Sequence, residues 1–124
     1  MAVQKILATL PGTSGAVDLQ LDAAGRIYLA SVVSVDGYWS FGVLRYLANG
    51  QLDPAFSGDG LQTVAWTGQY ADVQALTLLD AGGLLLAGSV TSGLAGQLAL
   101  AQLQDSGSRD TGFSGDGLIN QVNP

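Results

Sequence analysis

The residues able to do chemistry in this chain are few and of a narrow kind. Its 124 residues include ten acids, every one an aspartate, only four Lys plus Arg, and no histidine, cysteine or glutamate. Without histidine there is no Ser-His-Asp triad, no imidazole base and no imidazole metal ligand. Without cysteine there is no disulfide, thiolate metal site or cysteine nucleophile. A carboxylate pair of the glycosidase kind is the catalytic arrangement still open. Yet the aspartates fall mostly in turn-like segments and recur in a structural pattern. The chain is therefore read as non-enzymatic, with no catalytic residue and no cofactor.

Two of the acids stand in Asp53-Pro54-Ala55-Phe56 and Asp110-Thr111-Gly112-Phe113. An aspartate before a helical turn accepts the free backbone N–H groups two and three residues on, and proline at the next position has no N–H to lose. Phe56 and Phe113 then anchor each loop against apolar surface. The following Ser57-Gly58-Asp59-Gly60 and Ser114-Gly115-Asp116-Gly117 bear comparison with calcium loops. Calcium takes about six to eight oxygens, whereas each of these loops offers a single carboxylate, so no metal site is expected. The glycines mark turn positions of positive φ. Gly82-Gly83 and Gly58-Asp59-Gly60 also fail as phosphate cradles, because no helix follows whose N-terminus could hold an anion.

The aromatic residues offer more. Tyr38, Trp39, Trp66 and Tyr70, together with Arg45, form the candidate ligand or partner surface. Three readings compete: packing between units or subunits, a protein-partner surface, and a glycan site of aromatic faces flanked by hydrogen-bonding groups. Packing comes first, because a sugar site built on a repeat would itself repeat. The counterparts of Trp39 and Trp66 in the second half are Gly96 and Asn123.

Those counterparts exist because the chain is a tandem duplication. Phe56-Ser57-Gly58-Asp59-Gly60-Leu61 returns as Phe113-Ser114-Gly115-Asp116-Gly117-Leu118. Residues 16–67 lie on 73–124 without a gap at an offset of 57, with fifteen of 52 pairs identical. Single domains and small arrays both occur at this length. The chain is thus one repeat domain, 1–124, made of unit 1 (16–67), unit 2 (73–124) and a leading segment (3–10).

Each unit reads as four strands. Ala16–Asp22 alternates, placing Val17, Leu19 and Leu21 on one face of a half-buried strand. Arg26–Ser34 is a nearly continuous apolar strand and so central. Asp36-Gly37 signals a hairpin, Trp39–Ala48 is the third strand and Leu61–Trp66 the fourth. Unit 2 repeats the order at Val73–Leu79, Leu84–Thr91, Gln97–Gln104 and Leu118–Val122. Val3–Leu10 resembles a further fourth strand. The fold class is all-β: two tandem four-stranded antiparallel units, with no amphipathic helix.

The run Leu44-Arg45-Tyr46-Leu47-Ala48-Asn49-Gly50-Gln51-Leu52-Asp53-Pro54-Ala55-Phe56-Ser57-Gly58-Asp59-Gly60 resembles the delta-60 repeat. That family has an Arg-bearing strand, a polar turn ending in Gly, an Asp-x-x-Phe step and a glycine pair. Asp22-Ala23-Ala24-Gly25-Arg26-Ile27-Tyr28-Leu29-Ala30 is similar to its upstream segment. Unit 2 departs from the pattern where Gln102 replaces Arg45 and Gly83 replaces Arg26. The resemblance implies β-propeller blades in a mainly bacterial, often exported or surface-displayed group, mostly without assigned activity. The opening Met1-Ala2-Val3-Gln4-Lys5 has no signal-peptide pattern. The function expected is a binding or structural scaffold, with a small propeller lectin as the alternative.

Charge narrows the partners. A net charge of −6 provides no basic patch for nucleic acid, and no apolar run is long enough for a membrane helix. Two blades do not close a ring, and neither terminal strand is blunted by several charges. Propellers have about 4–8 blades, so the partner expected first is the chain itself, as a homo-oligomer with a trimer favoured. A protein or glycan ligand comes second.

Overall fold

The computed structural model describes residues 15–66, 68–92 and 95–120. The leading segment 3–10 lies outside the described residues. Eight strands form two four-stranded antiparallel sheets. The first sheet holds β1 (Ala16–Leu21), β2 (Ile27–Val35), β3 (Tyr38–Tyr46) and β4 (Leu61–Val64) in sequence order. The second holds β5 (Tyr70–Leu78), β6 (Leu84–Ser92), β7 (Ala95–Leu103) and β8 (Leu118–Asn120), again in order.

Local chemistry accounts for the meander. Asp36 and Gly37 sit at φ 52° and 82°, the left-handed pair that a two-residue hairpin turn requires, and β2 pairs with β3 from Val35↔Tyr38 to Ile27↔Tyr46. Both first strands shift register at the same place, between Ala16 and Asp18 in β1 and between Val73 and Ala75 in β5. These two bulges are 57 residues apart, so the duplication extends to an irregularity of the backbone.

The sheets pack face to face through one core. Unit 1 contributes Tyr28, Ala30, Val32, Phe41 and Val43; unit 2 contributes Val73, Leu76, Leu84, Leu86, Val90, Ala99, Ala101 and Leu103. In unit 1 these belong to one alternating set along β2 and β3. In unit 2 they belong to the opposite set along β6 and β7: the counterparts of Tyr28, Ala30 and Val43 are Leu85, Ala87 and Leu100, none of them in the core. The units therefore stack in the same sense, the front of unit 1 on the back of unit 2, with β5 lying across β1, β2 and β3.

Several strand limits differ from the sequence reading. β5 begins at Tyr70, three residues before the expected Val73, because Tyr70, Ala71 and Asp72 already pair with Thr91, Val90 and Ser89. β3 begins at Tyr38 and stops at Tyr46, where the turn at Leu47–Gln51 takes over through a bond from Leu47 N–H to the Gln51 carbonyl of 2.7 Å. β4 ends at Val64, so Trp66 lies beyond the strand. The larger correction concerns β1. Val17, Leu19 and Leu21 are 43%, 49% and 57% exposed, while Asp18 and Gln20 are half-buried. Its alternation is real, but the apolar side looks away from unit 2. The polar side is needed at the junction, where the Leu76 N–H donates to Asp18 Oδ2 at 2.9 Å.

Candidate functional site

Among the described residues, two clefts border the junction between the units, at opposite ends of the strands. The first is built by the β2–β3 hairpin of unit 1 and the start of β5. Tyr70 lies against Tyr38 (ring centroids 5.0 Å apart) and edge-on to Trp39 (5.5 Å). Trp39 is 54% exposed. With Tyr70, Asp72, Ser89 and Thr91 it lines an open cleft of about 480 Å³. The arrangement offers an apolar ring face beside a carboxylate and two hydroxyls, which suits a ligand with both an apolar side and hydrogen-bonding groups.

Of the five surface residues expected from sequence, three meet here and two do not. Trp66 is buried, packed edge-on against Phe41 at 5.0 Å. Arg45 is 1% exposed. Neither contributes to an exposed surface, because both are used in the core between the units. Asp72, Ser89 and Thr91 carried no signal of their own in the sequence. Their proximity to Trp39 comes from the three-residue extension of β5 and from the way β5 crosses β3.

Arg45 instead organises the junction. Its Nε donates to Asp53 Oδ2 at 2.7 Å, and its Nη1 donates to the Asp105 backbone carbonyl of unit 2 at 2.8 Å. The guanidinium lies 5.7 Å from the Tyr28 ring centroid and 4.9 Å from that of Phe56. Ser57 N–H donates to the Ser106 carbonyl at 2.7 Å and Gln62 Nε2 to the Gly107 carbonyl at 2.8 Å. The turn Gln104–Ser108 of unit 2 is thus gripped by the Asp53–Leu61 loop of unit 1. Gly107, at φ +92°, is required there: a Cβ would come within 3.0 Å of Ser57 N and 3.2 Å of the Phe56 ring.

The loop aspartates cap as the sequence reading expects in part: each carboxylate takes the N–H two residues on, while the N–H three residues on, at Phe56 and Phe113, donates to the aspartate's backbone carbonyl. Asp53 Oδ1 accepts from Ala55 N–H (2.9 Å) and Asp110 Oδ1 from Gly112 N–H (3.1 Å). Asp59 and Asp116 accept from the N–H groups of Leu61 and Leu118 at 3.0 and 2.9 Å. The Arg45–Asp53 pair itself was missed. Its signal was present in the 57-residue offset, since Gln102 and Asp110, the counterparts, are also joined, with Gln102 Nε2 donating at 3.0 Å.

The second cleft, about 350 Å³, lies between the turns at Asp22–Arg26 and Leu79–Gly83 and also borders Asp105. Here Arg26 Nε is 2.6 Å from Asp22 Oδ2. Partial burial pushes the Asp22 carboxyl up, but its bonds from the Arg26 side chain, the Arg26 N–H and the Tyr28 hydroxyl outweigh this and leave it below the ordinary carboxylate value.

Residues 25–56 match a family described as a domain of unknown function (DUF5122) beta-propeller. The match covers β2, β3 and the Asp53–Phe56 loop. It agrees with an all-β, propeller-like repeat built of four-stranded antiparallel sheets. No curated protein and no solved structure matches the chain.

Proposed function

We propose that the protein is a non-enzymatic binding or structural scaffold of two propeller blades, and that it holds its ligand in the aromatic cleft at the blade junction. The observation that carries this reading is the Tyr38–Trp39–Tyr70 cluster. Large rings left open at a rigid junction contribute binding area at little entropic cost. The non-enzymatic part draws support from the occupied aspartates: Asp22, Asp53, Asp59, Asp110 and Asp116 all serve backbone N–H groups, arginines or glutamine. The finer family assignment, two delta-60 repeats, belongs to the same reading. It is supported by the Asp-x-x-Phe loops, which fold alike in both blades.

A glycan ligand is the second reading, favoured by Asp72, Ser89 and Thr91 beside the Trp39 ring. The immobilised chain, challenged with a glycan array and with a random peptide library, separates the two. Binders of either class should lose at least about tenfold in affinity with Trp39→Ala, as expected of an aromatic anchor worth 1.4 kcal/mol or more. Binders that ignore Trp39→Ala would move the site elsewhere. Turnover of an aryl glycoside that disappears in Asp72→Asn would overturn the non-enzymatic reading.

A further inference from the structure

The aromatic cleft holds a carboxylate whose partner is missing. Five of the ten aspartates are buried or half-buried: Asp18, Asp22, Asp53, Asp72 and Asp110. Four of these hold a backbone N–H, an arginine or a glutamine, whereas Asp72 takes no hydrogen bond or ion pair among the described residues. A charge partly removed from water and left unpaired is unfavourable, and a positive group beside it relieves the cost.

Strand register sets the floor of the cleft. Tyr70 pairs with Thr91 and Asp72 with Ser89, so the four side chains stand on one face of the sheet in two rows. Gly96, the β7 partner of Thr91, adds no side chain there, and a Cβ at that position would meet only Thr91 Oγ1, at 3.7 Å. Trp39 closes one side from blade 1, the first unit, with its ring plane at 78° to that of Tyr70. Two rings so inclined make a corner and not the single flat platform on which a sugar face stacks. Ring faces carry negative charge density. The corner and the Asp72 carboxylate therefore present one sign to whatever enters.

Among the described residues no basic side chain offsets that sign. Arg26, Arg45 and Arg109 lie at the other end of the strands, around the turn Gln104–Ser108. On β6, the partners of Asp72 and Leu103 are Ser89 and Leu84, five residues apart. That is about 17 Å of strand, against a screening length of about 8 Å at physiological salt. A bare metal ion is poorly served, because one carboxylate and two hydroxyls fall short of the oxygens that a hard cation takes.

From this geometry we infer that the cleft takes an organic cation: an alkylated ammonium group, free as in choline or carried on a trimethylated lysine side chain. Its methyl groups rest against Trp39 and Tyr70 and its charge lies beside Asp72, a cation–π contact completed by a carboxylate. The inference rests on the aromatic cleft being the binding site, and supplies that site's ligand class.

Titration calorimetry tests it with choline, with a peptide bearing trimethyllysine, and with the neutral isostere of each, in which a tert-butyl group replaces the trimethylammonium. At least one cation should bind at least about tenfold more tightly than its isostere, and the tighter of the two cations identifies the source. Asp72→Asn keeps the shape of the cleft and should weaken the cation about threefold or more, with the isostere unaffected. Trp39→Ala should weaken both. Asp80→Asn, at an exposed position beside the second cleft, should change nothing and exclude a general effect of the net charge of −6. Circular dichroism should show all three variants folded. Equal affinity for cation and isostere, or full cation affinity in Asp72→Asn, would overturn the inference, while Trp39-dependent binding would still keep the cleft as the site. No saturable binding of either cation at millimolar concentration would overturn it as well. Cation binding untouched by Trp39→Ala would remove the cleft as the site, and this inference with it.

Discussion

Blade 1 and blade 2 have the same strand order, the same bulge and the same capped loops, yet they handle one equivalent pair differently. Arg45–Asp53 is a buried ion pair that reaches across to the Asp105 carbonyl, with side chains 2% and 6% exposed. Gln102–Asp110 is a neutral-to-charged hydrogen bond at the half-buried margin of the chain. The backbone requires an aspartate in both loops, because the Asp carboxylate holds the turn. What the cap's second oxygen binds is set by what lies beyond. Where another blade follows, an arginine bridges to it and is sealed between two rings. At Asp110, where no second blade lies against the loop among the described residues, a shorter amide binds that oxygen.

The largest expected effect separates these two aspartates. Asp53→Ala takes from the buried Arg45 its close carboxylate, leaving it the Asp105 carbonyl at 2.8 Å and the exposed Asp105 carboxylate at 3.5 Å, and should cost about 3 kcal/mol. Asp110→Ala removes a cap and one exposed-side bond and should cost about 0.5–2 kcal/mol. Urea unfolding of both variants checks it, and equal costs would break the comparison. Next come the loop phenylalanines. Phe56→Ala should cost about 3–5 kcal/mol and Phe113→Ala about half as much in dilute protein, since less of it is removed from water.

This division was only partly legible in the sequence. The two units, their strand order and the capping aspartates were visible, because repetition, alternation and turn chemistry are local signals. The direction in which β1 faces was not. Val17, Leu19 and Leu21 alternate as a buried stripe would, and alternation does not say which neighbour covers the stripe. Of the aromatic cleft, Tyr38, Trp39 and Tyr70 were named, since exposed rings near a turn are recognisable. Arg45 and Trp66 do not join that surface: Trp66 follows the packing reading that the sequence puts first, and the burial of both depends on a sheet-to-sheet packing that no spacing within one unit encodes.

Smaller effects follow from groups found in blade 1 only. Tyr28 and Tyr46 correspond to Leu85 and Leu103, and burial raises the pKa of both phenols above the ordinary 10.0, partly offset at Tyr28 by its bond from Arg45. The folded state therefore holds their protons more tightly. The stability this adds is fully present below pH 10 and is lost as pH rises through the raised folded values. Alkaline unfolding followed by tyrosine absorbance should show it, and Tyr46→Phe should reduce the dependence. Asp22, whose counterpart is Leu79, has the opposite sign: its contribution is present above its ordinary value of 3.8 and is lost as pH falls through the lowered folded value. At this partly exposed pair Asp22→Asn should cost only about 0–1 kcal/mol at neutral pH.

The central claim is that one loop design is sealed by the other blade at Asp53–Leu61 and left more exposed at Asp110–Leu118. Amide hydrogen exchange at Ser57 and Ser114 tests it most directly. Both follow a phenylalanine within the identical Phe-Ser-Gly-Asp-Gly-Leu stretch, so their intrinsic rates are matched. Ser57 N–H donates to the Ser106 carbonyl of blade 2, whereas Ser114 has no such acceptor among the described residues. In dilute protein, Ser57 should exchange roughly threefold to tenfold more slowly than Ser114, the protection of one hydrogen bond. Equal rates at the two serines would contradict the account.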